Sequence, residues 1–61
     1  MRWMTSAEIL KTRNRSINNA IQKNNIPIEQ QKQFRRMMEQ ELDENIELAI
    51  RRQQLIVVEE N

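Results

Sequence analysis

Apolar residues recur along this chain at helical spacing, and the first stretch has a clear start. Thr5 followed three residues later by Glu8 forms a capping box, in which each residue satisfies a free backbone N–H of the first turn. The pattern predicts a first helix from about residue 6 to residue 23. The apolar residues that share its inner face are Leu10, Ile17 and Ile21.

A short polar segment, KNNIPIEQ, interrupts the helical pattern. Asn24 and Asn25 tolerate the backbone conformations that end a helix, and Pro27 suits the first turn of the next one. We therefore expect a turn at residues 24–26 and a second helix over about residues 27–54.

The second predicted helix carries more apolar surface than the first can cover. At 100° per residue its apolar positions spread over an arc of about 200°. The expected fold is therefore all-α, an antiparallel two-helix hairpin that dimerises into a four-helix bundle. The predicted oligomer interface consists of Phe34, Met38, Leu42, Ile46, Ala49, Ile50, Leu55, Ile56, Val57 and Val58.

Four adjacent apolar residues, Leu-Ile-Val-Val at positions 55–58, form a tail past the reach of the first helix. Arg51 and Arg52 suit a helix C-terminus and the acidic residues that follow do not, which is consistent with a stop near Gln54 and an extended tail. The alternative is a helix that continues as an overhang. In both cases we expect the tail to be uncovered by its own chain and to pack against a second copy.

The amino-acid composition excludes several kinds of functional site. The chain has 61 residues, enough for one domain of marginal stability, and it contains no Cys, His or Gly. Disulfides, an ordinary zinc site, a Ser-His or Cys nucleophile and a glycine-rich phosphate loop are therefore excluded. We expect no cofactor, no metal and no enzymatic activity. The absence of a signal-like or membrane-spanning apolar run predicts a cytoplasmic protein.

Charge is unevenly distributed. Residues 1–36 carry eight basic and two acidic side chains, a net +6, whereas residues 37–61 carry two basic and seven acidic ones, a net −5. Within the acidic half, Glu39, Asp43 and Glu47 form a row with one residue per helical turn. This row is either a solvated face or a docking surface for a basic protein, for instance a DNA-binding protein that the chain would inhibit.

A polar face of the first helix is a candidate nucleic-acid surface, because its side chains are able to contact phosphates and base edges. Its residues are Lys11, Arg15, Asn18 and Gln22. A solvated helix face is the competing interpretation. Arg13 of the first helix lies between apolar positions and is expected to pair with Glu41. In the second helix, Gln31 and Asn45 interrupt the apolar arc, where they either fix the helix register or face water.

These observations predict a small non-enzymatic helical protein-protein interaction module that acts as a regulator, adaptor or inhibitor and forms a homodimer. One alternative is a homodimer that binds nucleic acid through the first helix. Another is a structural assembly protein such as a phage scaffold component. The high content of Ile, Asn and Gln suggests a bacterial or phage source.

Overall fold

The computed structural model describes residues 2–59. Its elements follow in the order β1 (Arg2–Thr5), α1 (Ser6–Lys23), α2 (Ile28–Arg51) and β2 (Leu55–Val58). The chain is mostly helical, with the two helices that the sequence predicts. It differs from the all-α expectation in one respect, because the two strands pair into a small parallel sheet. Residues 60 and 61 of the predicted tail lie outside the described residues.

The capping box sets the start of α1. The backbone N–H of Glu8 donates to Thr5 Oγ1 at 3.2 Å, and the backbone N–H of Thr5 donates to Glu8 Oε1 at 3.2 Å. At the other end the Asn24 side chain donates to the carbonyl oxygen of Ala20 at 2.8 Å. Both helix ends thus have the side-chain partners expected from their sequence.

The turn between the helices uses a left-handed asparagine. Asn25 has φ 50°, and the next backbone N–H, that of Ile26, donates to the carbonyl oxygen of Ile21 at 3.1 Å. Gln31 Nε2 then donates to the carbonyl oxygen of Ile26 at 3.1 Å. Pro27 is the N-cap of α2. Gln31 therefore tethers the turn, whereas Asn45, the other polar residue of the apolar arc, is exposed.

The second helix ends at Arg51, three residues before the expected stop. Gln53 adopts a left-handed conformation, φ 60°, and the backbone N–H of Gln54 donates back to the carbonyl oxygen of Ala49 at 2.9 Å. This turn reverses the chain. Because α1 and α2 already form one reversal, the second one makes β2 run parallel to β1.

The sheet corrects the expectation for the tail. Arg2 lies opposite Leu55 and Thr5 opposite Val58, and the Arg2 N–H donates to the carbonyl oxygen of Gln54 at 3.0 Å. Leu55 is 9 % exposed, so the tail is partly covered by its own chain. The extended form is one of the two predicted conformations, but the sequence pattern does not predict β1, the strand that pairs with it.

The buried core is small. Ile17 is fully buried, and Ile21 and Leu55 are nearly so. Within the described chain α2 contributes no buried side chain, although it is the longest element. The fold therefore leaves an apolar surface on α2 and around the sheet.

Candidate protein-interaction surfaces

Of the residues predicted to form the oligomer interface, Leu55 alone is buried among those described. Ile50 and Val58 are exposed at 41 % and 38 %. The remaining ones are half-buried, namely Phe34, Met38, Leu42, Ile46, Ala49, Ile56 and Val57. A single chain thus leaves nearly the whole predicted interface in partial contact with water.

Arg13 connects the two helices through acidic residues. Its Nη1 donates to both carboxylate oxygens of Asp43, at 2.9 and 3.1 Å, and its Nη2 donates to Glu39 Oε2 at 3.3 Å. The Arg13 side chain is 14 % exposed, against 38 % for Glu39 and 54 % for Asp43. The expected pairing with Glu41 was therefore wrong. Glu41 lies half a turn away from the face that Glu39 and Asp43 share.

The acidic row of Glu39, Asp43 and Glu47 is paired with arginines of the same chain. Glu39 and Asp43 pair with Arg13, and Glu47 Oε1 accepts a hydrogen bond from Arg51 Nη2 at 2.9 Å. All three carboxylates are therefore in ion pairs within the chain. Their side chains are still 38 %, 54 % and 62 % exposed, but a basic partner would have to compete with the two arginines.

A groove of about 350 Å³ opens between the helices and the sheet. The polar and charged residues that line it are Arg2, Thr12, Arg13 and Gln54. Its apolar lining comes from all four elements, with Met4, Ile9, Leu42, Ile46, Ala49 and Leu55. Such a groove suits an apolar side chain from a partner protein.

A second groove, of about 450 Å³, is lined by residues of β2 and by none of β1, which places it at the edge of β2 away from β1. It lies between that edge and Ile50 near the end of α2. Its lining includes Leu55, Ile56 and Val57, three consecutive residues whose side chains alternate between the faces of the sheet. The groove thus runs along the backbone edge of the strand.

Further apolar side chains are exposed outside the predicted interface. Trp3 is 65 % exposed on β1, on the same face of the sheet as Ile56 and Val58. Met37 and Leu48 are 59 % and 44 % exposed on one flank of α2. Isolated exposed apolar residues are common on monomeric proteins. These three large side chains, added to the exposed part of the predicted interface, are more than such isolated residues.

The candidate nucleic-acid residues all lie on the surface of α1. Asn18 has a partner within the chain, since its Oδ1 accepts a hydrogen bond from Arg35 Nη2 at 2.7 Å. Lys11 and Arg15 make no ion pair within residues 2–59. The structure thus leaves two cations of this face available to a phosphate, and uses Asn18 to join the helices.

The side-chain pattern does not predict the sheet or its backbone edges, because the pairing of β1 with β2 depends on backbone groups. The signal available was weak. Trp3 and Thr5 have strand propensity, but Thr5 is itself the first residue of the capping box, and both are far in sequence from the β-branched run at residues 56–58.

Within the described residues, no cluster of three or more acidic side chains is arranged to hold a metal ion. In the same range, neither helix has a stretch long and apolar enough to cross a membrane. No protein family profile, curated protein or solved structure shows a significant match to this chain.

Proposed function

We propose that this chain is a small non-enzymatic protein-protein interaction module that works as a homodimer in the cytoplasm. One observation carries the proposal. The longest element, α2, has an apolar stripe, yet in the described chain none of its side chains is buried. A helix with such a stripe needs a surface to pack against.

The size of the chain agrees with this proposal. A stable interface buries about 800 Å² per partner, which would be roughly 15 % of the 5345 Å² that the described chain exposes. The half-buried stripe of α2, the groove between the helices and the outer face of the sheet offer apolar area for such an interface. An antiparallel four-helix bundle is one arrangement that would cover the stripe.

We further propose that the dimer regulates a basic partner protein as an adaptor or inhibitor, through the acidic surface of α2. Glu47 is the best-placed residue of the row for this role. Its partner Arg51 is on the same helix and is 71 % exposed, whereas Glu39 and Asp43 are held by the nearly buried Arg13. A basic side chain could replace Arg51 at little cost, because exposed ion pairs contribute little stability.

The test is capture of proteins from the native host with wild type and with the variant Glu47→Lys. Glu29→Lys is the matched control, since Glu29 is also exposed on α2 but lies in its first turn. Reversing all three residues of the row is less informative, because it would also break the contact between Arg13 and α2. Loss of a captured protein with Glu47→Lys alone supports the acidic docking surface. Equal recovery with both variants contradicts it.

Nucleic-acid binding is the second candidate, favoured by the two cations of α1 that lack an ion pair in the described chain. It predicts a mobility shift with DNA or RNA at low salt that weakens steeply as salt rises. The double change Lys11→Glu and Arg15→Glu should abolish the shift, while Lys32→Glu on α2 should not. The absence of any shift at low salt would remove this candidate.

A further inference from the structure

The outer edge of β2 presents backbone groups without partners. The Arg2 N–H bonds to Gln54, and Arg2 lies opposite Leu55, so the parallel ladder directs the polar groups of Ile56 and Val58 toward β1. Those of Leu55 and Val57 then point away from β1. Within residues 2–59, no backbone hydrogen bond from outside the ladder reaches either residue.

This edge differs from the outer edge of β1. There the backbone N–H of Thr5 is already occupied by Glu8 Oε1, as part of the capping box. The β2 edge instead has three β-branched residues, Ile56 to Val58, and the groove beside Ile50. A parallel sheet of two strands is marginal by itself, because sheets usually need three or more strands or cover on both faces. The β2 edge is therefore the favoured place for another strand.

Building on the homodimer proposed above, we propose that the occupant of this edge is β2 of a second copy, paired antiparallel. The result is one four-stranded sheet in the order β1-β2-β2-β1. A two-fold axis perpendicular to the sheet relates identical strands in this way. It also places both helical hairpins on the same face of the sheet.

The positions of the free backbone groups determine the register. In an antiparallel pair, residues whose polar groups point outward must face one another. Leu55 and Val57 are the outward residues, so Leu55 of one copy faces Val57 of the other, and the reverse. Ile56 then faces Ile56 of the second copy across the axis, as a pair without backbone hydrogen bonds.

Charge agrees with the same register. With Ile56 on the axis, Val58 of one copy faces Gln54 of the other. Glu59, which follows β2, therefore comes near the turn that contains Arg52. Within residues 2–59 the Glu59 carboxylate accepts only a neutral hydrogen bond, from Ser6 Oγ at 3.3 Å. Arg52 is exposed and makes no ion pair in the described part of the chain. Opposite charges would therefore meet at both ends of the new strand pair. This self-complementarity favours a second copy over an unrelated peptide.

The test is oxidative cross-linking of single-cysteine variants, which is clean because the chain has no cysteine of its own. Residues that face one another without backbone hydrogen bonds have Cα atoms about 4.5 Å apart, within the range that a disulfide requires. Ile56→Cys should convert to a covalent dimer under mild oxidation. Val58→Cys and Trp3→Cys should do so much more slowly, although both positions are more exposed than Ile56.

The controls separate this proposal from the homodimer itself. If wild type sediments as a dimer but Ile56→Cys cross-links no faster than Val58→Cys, the edge pairing is wrong and the homodimer stands. If wild type is a monomer, both proposals fail. Arg52→Glu should weaken self-association several-fold and the added change Glu59→Arg should restore it. An Arg52→Glu variant that associates like wild type would contradict the register.

Discussion

Arg13 is expected to stabilise the hairpin by joining α1 to α2, and the change Arg13→Met tests this. Methionine keeps much of the apolar stem and removes the guanidinium. Three hydrogen bonds to Asp43 and Glu39 are lost. Hydrogen bonds to charged groups contribute about 1.5–3 kcal/mol each when shielded, whereas exposed ion pairs contribute about 0–1 kcal/mol.

Burial decides between these magnitudes. The Arg13 side chain is 14 % exposed, but Glu39 and Asp43 are 38 % and 54 % exposed and can return to water once the arginine is gone. We therefore expect a total loss of about 1–2 kcal/mol, well below the sum of three shielded bonds. For a chain of 61 residues, whose free energy of unfolding is on the order of 3–9 kcal/mol, this is a large fraction.

The assay is urea denaturation followed by far-UV circular dichroism, at one fixed protein concentration because association alters apparent stability. A double-mutant cycle with Asp43→Asn should give a coupling energy of at least about 0.5 kcal/mol. The control Arg51→Met breaks an exposed pair within α2 and should cost about 0.3–0.5 kcal/mol. A coupling energy near zero between Arg13 and Asp43 would refute the reasoning.

Three further changes test the core, the cap and the second turn by the same denaturation assay. Ile17→Ala should lower the free energy of unfolding by about 2–5 kcal/mol, because Ile17 is fully buried. Leu10→Ala, at a half-exposed site of the same helix, should lower it by under about 1 kcal/mol. Equal losses would contradict the assigned core. Thr5→Ala should cost about 1 kcal/mol through loss of the cap, and no loss would argue against the capping box. Gln53→Gly should stabilise by about 0.5–1 kcal/mol, because glycine adopts φ 60° without steric cost; destabilisation would show that this residue is not left-handed.

The helices were predictable because their signals are local. The capping box at Thr5 and Glu8 and the turn at Asn24 lie within a few residues of the bounds that they define, and α1 spans Ser6–Lys23 as expected. The start of α2 follows from Pro27 in the same way. Neighbouring residues carry enough information to place such ends.

The sheet was not predictable by the same means. Arg2–Thr5 and Leu55–Val58 are separated by the whole hairpin, and periodicity carries no information about pairing at that distance. The turn that makes them parallel depends on Gln53, a residue with little preference for the left-handed region. The position holds neither asparagine nor glycine, the residues that would indicate a left-handed conformation there.

The predicted contacts of Arg13 show a different kind of error. An antiparallel hairpin places Arg13 near Met38 and Glu41, within two residues along α2 of its actual partners Glu39 and Asp43. The prediction of Glu41 used only its position along α2. Glu39 and Asp43, one turn apart, share the helix face that Arg13 reaches. The position of the turn determines which residues of the two helices lie side by side along the hairpin. Which helix face makes the contact depends on how each helix is rotated about its axis, and no local sequence pattern specifies that rotation.

Sedimentation equilibrium of the wild-type chain, from low micromolar to several hundred micromolar, tests the central claim most directly. The apolar stripe of α2 and the free edge of β2 predict twice the chain mass at the upper concentrations, with dissociation on dilution. A folded species with the mass of one chain at every concentration would contradict the homodimer.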